Sequence, residues 1–274
     1  MKDLTIDSIK TILKPRIASS NKGDYGHAFL IAGNTGKMGS AVIASKACLR
    51  SGCGLLTVSV PYDEQIVLQT TIPEAKLTIR ENDEDNFKKF SAAGIGPGIG
   101  TTKESIQILT YLLTEFKKPI VLDADALNII AMDRKRLDII PSNTILTPHL
   151  LEFDRLFGVQ GSSELRITSA IDKAKEYNIT IVLKGHRTLI TNGTESFFNT
   201  TGNAGLAKAG SGDALTGLIT SFLAQGYSGF DAAIMGVYIH GLAADIALTE
   251  QSMESMLVSD VIECFGKAFK EVMK

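Results

Sequence analysis

Gly210-Ser211-Gly212-Asp213 sets three small residues and one carboxylate directly before a run with helical spacing. Leu215, Leu218, Ile219, Phe222 and Leu223 recur at i, i+3, i+4, i+7 and i+8, and Gly226 is a natural stop. The first turn of a helix presents unpaired N–H groups and the positive end of the dipole. Glycines let those amides close on an anion such as phosphate. Asp213 beside a bound phosphate could take the proton of an attacking hydroxyl, with the dipole favouring its ionised form. The plainer alternative is that Ser211 or Asp213 only caps the helix. Spacing alone leaves both readings open.

Other residue types suited to chemistry are scattered along the chain. His149 and Glu152 stand three apart at an expected helix start, so both can face one crevice. Glu152 could order magnesium-bound water or serve as a capping carboxylate, and His149 could be a helix-start hydrogen-bonder. Asp123 and Asp125 could bind metal, or fill turn and N-cap roles. Lys184 could neutralise a nucleotide phosphate or be a solvated lysine at a strand end. His27, His186 and His240 read as isolated structural histidines, and the methionines as core filler.

The glycine-rich turn Gly33–Ser40 is not a P-loop. Met38 stands where Ser or Thr must hold magnesium, and Ile31 where the first glycine belongs. Gly96-Pro97-Gly98-Ile99-Gly100 is not the dinucleotide fingerprint either, because residue 101 is Thr. Both remain glycine turns after a strand, suited to phosphate or dinucleotide contact or to tight packing.

The elements that must position these residues alternate. Strands are expected at His27–Ala32, Leu55–Val60, Ala92–Ile95, Pro119–Leu122, Thr144–Leu146 and Thr180–Leu183. Helices are expected over 4–14, 40–51, Glu104–Phe116, 163–177, from Asp213 to Gly226 and over 231–248, the last apolar nearly all round and so buried. Leu189–Thr191 and Glu195–Phe198 flank Asn192-Gly193, a hairpin signal. Ser259 is expected to cap a last amphipathic helix. Residues 62–90, with the charge run Glu81–Asp85, read as solvated surface. The alternation predicts an α/β fold: three layers, a mainly parallel central sheet with helices on both faces. Loops 33–40, 96–100, 123–128, 147–152 and 184–188 would then share a crevice beyond the carboxyl ends of the strands. No internal repeat, linker or low-complexity segment interrupts 1–274, so a single domain is expected.

Composition narrows the function classes. The 274 residues are 44% hydrophobic, ample for a core, and the net charge of −2 gives no general attraction to nucleic acid. Cys48, Cys53 and Cys264 lack zinc spacing and are odd in number, so buried free thiols in a reducing compartment are expected. The N-terminus lacks the apolar core of a signal peptide, and no apolar run reads as long enough to span a bilayer. A cytoplasmic location follows as an expectation.

The motifs NKGDYGHAFLIAGNTGKMGSAVIASKACLRSGCGLLTVSVP, GPGIG, VLDADALN, LTPHLLEFDRL, LKGHRT and GNAGLAKAGSGDALTGLITSFLAQG occur in this order. As an ordered set they closely resemble the ADP- or ATP-dependent NAD(P)H-hydrate dehydratases of the ribokinase-like superfamily, from about residue 20 onward. The resemblance implies repair of the S form of hydrated NAD(P)H: phosphorylation of the hydrate hydroxyl, loss of phosphate and return of the ring double bond. It implies ADP or ATP as cosubstrate and Mg2+ as cofactor. Carried over by motif, Asp213 is the base and a hydrate contact. Ser40 or Ala41, Gly98 and His149 touch the hydrate. Gly210, Ser211 and Gly212 form the anion pocket, while Lys184, Gly185, His186, Arg187 and Thr188 line the nucleotide site. Family members often carry Ala where Ser40 stands and His where Asn21 stands. His149-Leu150-Leu151-Glu152 occupies the place of the superfamily's Asn-x-x-Glu, which assigns Glu152 a magnesium role. The resemblance also implies a homo-oligomer, a tetramer. Many members add an N-terminal epimerase domain, for which this length leaves no room.

Two other functions compete. A ribokinase-like kinase of a small molecule or vitamin precursor would release a stable phosphoester, whereas the dehydratase releases inorganic phosphate and reduced cofactor. A non-catalytic nucleotide-binding protein would lack the base, and Asp213 is present.

Overall fold

The computed structural model describes residues 1–80 and 87–274, so the charge run Glu81–Asp85 lies outside the described residues. The strands are β1 (Lys2–Asp3), β2 (His27–Ile31), β3 (Leu55–Val60), β4 (Lys76–Ile79), β5 (Ala92–Ile95), β6 (Ile120–Leu122), β7 (Ile145–Leu146), β8 (Thr180–Leu183), β9 (Leu189–Thr191) and β10 (Ser196–Phe198). They form one sheet in the order β1-β10-β9-β8-β7-β6-β5-β2-β3-β4. Pairing is parallel except where β9 runs against β8 and β10. The mainly parallel expectation and the Asn192-Gly193 hairpin both hold.

The helices are α1 (Ile6–Ile12), α2 (Met38–Arg50), α3 (Gln65–Thr71), α4 (Lys103–Glu115), α5 (Ala124–Met132), α6 (Leu150–Phe157), α7 (Ser163–Tyr177), α8 (Ser211–Ala224), α9 (Gly229–Ala247), α10 (Val258–Glu263) and α11 (Phe265–Met273). Side chains alternate across a strand, so each central strand feeds two cores. Leu30 joins the core shared with α2, α8 and α9, while Phe29 and Ile31 join the core under α4, α5 and α6. That two-sided burial is why β2 reads as a continuous apolar run rather than an alternating one.

α2 and α8 pack in close contact. A Cβ at Gly217 would lie 2.0 Å from the Ala44 carbonyl oxygen, so only glycine permits the approach. Every residue of α8 from Ala214 to Ala224 is buried. This contact fixes where both helices begin, and their first turns carry Ser40 and Asp213.

Several expectations need correction. Residues 62–90 hold α3 and β4, the latter pairing with β3 at the sheet edge. Edge position leaves β4 only partly buried, which hid it among polar neighbours. Asp123–Asn128 is not a loop, because α5 begins at Ala124. Ser259 lies inside α10, and the Leu257 N–H that precedes the helix donates to the Asp260 carboxylate at 2.8 Å. α9 is long and apolar enough to span a bilayer by length and composition, against the expectation, but 72% of its apolar window is buried within the molecule. It is a core helix, clothed by the sheet, α8 and α11. The cysteines are free and buried as expected.

Candidate active site

Chain direction across the sheet reverses between β2 and β5. β3 and β4 extend it one way from β2, and β6, β7 and β8 extend it the other way from β5. Such a switch point opens a crevice beyond the carboxyl ends of the strands. The two glycine turns meet there: the Gly33 N–H donates to the Pro97 carbonyl at 2.8 Å, and Asn34 Nδ2 donates to the Ile99 carbonyl at 3.0 Å. Asp125 ties the second turn to α5 by accepting from the Gly100 N–H at 2.8 Å.

Asp213 sits in the first turn of α8, after a Gly210 cap residue that offers no side-chain bond to the helix. The Ser40 side chain lies beside its carboxylate. Gly98 lies against that pair: a Cβ there would come within 2.9 Å of Ser40 Cβ and 3.0 Å of Ser40 Oγ. Ser40, Gly98 and Asp213 are therefore brought together in one place.

Burial pushes the Asp213 carboxyl above its ordinary value. Ser40 pulls it back, Asp123 pushes it up, and Lys184 pulls it down. The helix dipole was expected to keep this carboxylate readily ionised, but desolvation outweighs the favourable contacts. A base raised toward the working pH is better matched to proton transfer than an ordinary aspartate.

Lys184 is not a solvated lysine at a strand end. Its side chain is 23% exposed, and its ammonium lies 2.8 Å from Asp123 Oδ1 and 3.9 Å from Glu152 Oε2. Burial alone would lower its pKa, but Asp123 and Glu152, with Asp213 beyond them, outweigh that and hold it raised. Asp123 is 1% exposed, and its other oxygen, Oδ2, accepts from Thr216 Oγ1 at 2.8 Å. It occupies the cap position of α5 yet makes no capping bond, because its carboxylate faces Lys184 and Thr216 instead. Gly212 lies over this pair: a Cβ on it would be 3.4 Å from Asp123 Oδ2 and from Lys184 Nζ.

His149 caps α6. Its Nδ1 accepts from the Leu151 and Glu152 N–H groups at 3.1 and 3.2 Å, and Glu152 Oε2 accepts from the His149 N–H at 2.8 Å. This is a reciprocal capping box, with histidine in place of the usual hydroxyl residue. Its Nε2 lies 3.4 Å from Glu152 Oε1, and the side chain is 48% exposed. Glu152 uses one oxygen on the cap and is almost fully buried.

The loop after β8 divides in two. Lys184 turns inward, while Arg187 pairs with Asp3 and stacks 4.9 Å from the Phe198 ring centroid, toward the β1 edge. His186 is exposed, and Thr188 Oγ1 bonds the Gly185 carbonyl at 3.3 Å. Arg187 therefore does not join the carboxylate cluster. Sequence reasoning missed the Asp123–Lys184 ion pair and Thr216. A threonine inside the apolar α8 run was the available signal for the latter.

Among the described residues no three His, Cys, Asp or Glu side chains gather as a metal cage. The carboxylates nearest the crevice already face an ammonium. This donor set suits a magnesium ion that keeps its waters and is carried on phosphates, which is that ion's habit. It does not suit a cage of protein ligands.

A family model described as NAD(P)H-hydrate dehydratase matches residues 28–266. The ADP-dependent (S)-NAD(P)H-hydrate dehydratase of Neisseria meningitidis is 38% identical over 248 residues, 86% of this chain and 81% of that protein. The bifunctional NAD(P)H-hydrate repair enzyme Nnr of Moorella thermoacetica is 33% identical over 276 residues, covering 95% of this chain and 52% of that one. The chain spans about half the length of the bifunctional relatives it matches. In structure it is similar to the ADP/ATP-dependent NAD(P)H-hydrate dehydratase of Bacillus subtilis co-crystallised with ATP and Mg2+. That match has a TM-score of 0.88 and 29% identity, and covers 99% of this chain and 98% of the other. A switch-point crevice holding Asp213, and a match that runs through nearly every element building it, lead to one conclusion: the chain belongs to the NAD(P)H-hydrate dehydratase family, on a ribokinase-like fold.

Proposed function

We propose that the chain dehydrates the S form of NAD(P)H hydrate back to NAD(P)H, consuming ADP or ATP. The observation that carries this is Asp213: a carboxylate on the first turn of a helix, beside an anion-sized glycine turn and Ser40, and raised in pKa by burial. It is the chain's best-placed acceptor for a hydroxyl proton.

The chemistry divides into two steps. Asp213 takes the proton of the hydrate hydroxyl, whose oxygen attacks the terminal phosphorus of the nucleotide and displaces ADP from ATP, or AMP from ADP. The ring nitrogen then pushes electrons toward the C–O bond. Phosphate departs with the bonding pair, and the adjacent ring carbon gives up its proton to restore the double bond. A hydroxyl leaves poorly at neutral pH, and the phosphate ester removes that obstacle. Gly210, Ser211 and Gly212 cradle the transferring phosphate with backbone amides. Lys184 supplies positive charge, with Gly185, His186, Arg187 and Thr188 continuing the nucleotide site. Ser40, Ala41, Gly98 and His149 orient the hydrate against Asp213. Magnesium bound with the nucleotide would neutralise phosphate charge, with Glu152 reaching it through water.

The same reading assigns 1–274 to one domain and the working form to a homo-oligomer, a tetramer, in the cytoplasm. Its partners are NAD(P)H hydrate and ADP or ATP, without nucleic acid or membrane. The test is incubation of purified protein with NAD(P)H hydrate and ADP or ATP separately. Recovery of reduced-cofactor absorbance with equimolar inorganic phosphate supports the reading. A stable phosphoester of a small alcohol without phosphate release would instead make the protein a kinase.

A further inference from the structure

A cavity of about 690 Å³ opens at the opposite ends of α2 and α8, under the segment 13–25. Its walls include Leu49 to Gly52, where α2 ends, and Phe222 and Gln225, where α8 ends. Phe222 and Gln225 lie nine and twelve residues beyond Asp213, so at 1.5 Å per residue the cavity is about 14–18 Å along the helix from it. It is not part of the crevice that holds the carboxylates. Its volume falls within the roughly 300–1,000 Å³ usual for small-molecule sites.

The lining has two chemical parts. Partly exposed aromatic surface comes from Tyr25 and Phe269, backed by the buried Phe222 and Tyr227 rings, which meet edge to face at 5.7 Å. Positive charge comes from Lys14, Arg16 and Arg50. The Arg16 guanidinium rests 3.9 Å from the Tyr25 ring centroid, and Lys14 Nζ lies 5.1 Å from the Tyr227 centroid. Arg50 pairs with Glu263 at 2.8 Å, but among the described residues Lys14 and Arg16 have no carboxylate within ion-pair distance. Asp24 also borders the cavity, yet its carboxylate accepts from the Asn21 N–H and Nδ2 at 2.8 and 2.9 Å. The carbonyls at these helix ends are partly taken up by side chains. Arg16 donates to the Gly52 carbonyl, and Gln225 Nε2 donates to the Ser51 and Ser221 carbonyls at 3.0 Å each.

We propose that this cavity is a second ligand site, for a small organic anion: a carboxylate, sulfonate or phosphate on a flat aromatic body. The anion meets Lys14 and Arg16, and the body lies against the partly exposed Tyr25 and Phe269 rings. The site is independent of the catalytic reading, since no residue of the proposed chemistry lines it.

The test uses 1-anilinonaphthalene-8-sulfonate with the whole protein, read by fluorescence with and without saturating ADP. Saturable binding that ADP leaves unchanged is expected. Lys14→Gln and Arg16→Gln should each weaken it about threefold to tenfold, the range for partly exposed charge contacts. N-phenyl-1-naphthylamine, which lacks the sulfonate, should bind more weakly by a similar factor. Ile17→Trp, at a lining residue that is 71% exposed, should block the cavity without unfolding the chain. Absence of saturable binding would overturn the proposal, as would displacement by ADP or indifference to all three substitutions. A change in oligomeric mass in the Lys14 and Arg16 variants, with dye binding intact, would make this face an interface between copies instead.

Discussion

The Lys184 ammonium lies 2.8 Å from Asp123 Oδ1, and that carboxylate is 1% exposed. Removing the lysine strands a buried charge. Breaking a buried pair from one side costs about 3–5 kcal/mol. Lys184→Ala should therefore lower unfolding free energy by about that amount, measured by urea denaturation. Nucleotide affinity of the folded protein should also fall by about one to two orders of magnitude, the value of a charge-assisted phosphate contact. Unchanged affinity would remove Lys184 from the nucleotide site while leaving its structural role intact.

Asp213 gives a pH dependence whose sign follows from its raised pKa. Its carboxyl is raised by burial above the ordinary aspartate value. The base works deprotonated, so kcat/KM should climb with rising pH through a pKa above that ordinary value. For stability the sign is opposite. A carboxyl raised by folding favours the fold in its protonated form, and that contribution is lost as pH rises through the folded pKa. Asp213→Asn should therefore be more stable than the parent at neutral pH, and the gap should close in acid. Thermal melts across pH check this.

Gly98 is confined by Ser40. Its φ is +66°, and an added Cβ would lie 2.9 Å from Ser40 Cβ. Gly98→Ala should cost about 1–3 kcal/mol in strain. It should also displace Ser40 from Asp213, so kcat/KM should fall at temperatures where the variant remains folded. Full activity in a folded Gly98→Ala protein would separate this turn from the chemistry.

His149 carries two roles that one substitution can separate. Asparagine is a good N-cap, so His149→Asn should keep α6 and the melting temperature close to those of the parent. Loss of the imidazole should raise KM for the hydrate. His149→Ala should lose the cap as well, costing about 1 kcal/mol. Equal KM in all three proteins would leave His149 a cap alone.

The legible parts of the sequence were those whose pattern is local. Leu55–Val60, Ala92–Ile95 and Thr180–Leu183 are buried strands, and each shows as a short apolar run between turn residues. The glycine turns and Gly210–Asp213 were equally visible, because glycines cluster there at close spacing. What escaped depends on distant partners. Asp123 meets Lys184 across 61 residues and Thr216 across 93, and no spacing rule reaches so far. β1 has two residues and pairs with β10, too short to show any period. The inward turn of Lys184 and outward turn of Arg187 likewise follow from neighbours the loop meets only after folding.

Turnover of Asp213→Asn tests whether Asp213 is the base. Asparagine keeps the size and a hydrogen-bonding oxygen but cannot accept the hydroxyl proton. A positioned base contributes about 10²–10⁴-fold, so hydrate turnover should fall by that order while fold and nucleotide affinity survive. If Asp213 only occupies the first turn of α8, where Gly210 is the cap residue, asparagine should serve there equally well. Near-parental turnover in the folded variant would contradict the assignment, and with it the mechanism built on Gly210–Asp213.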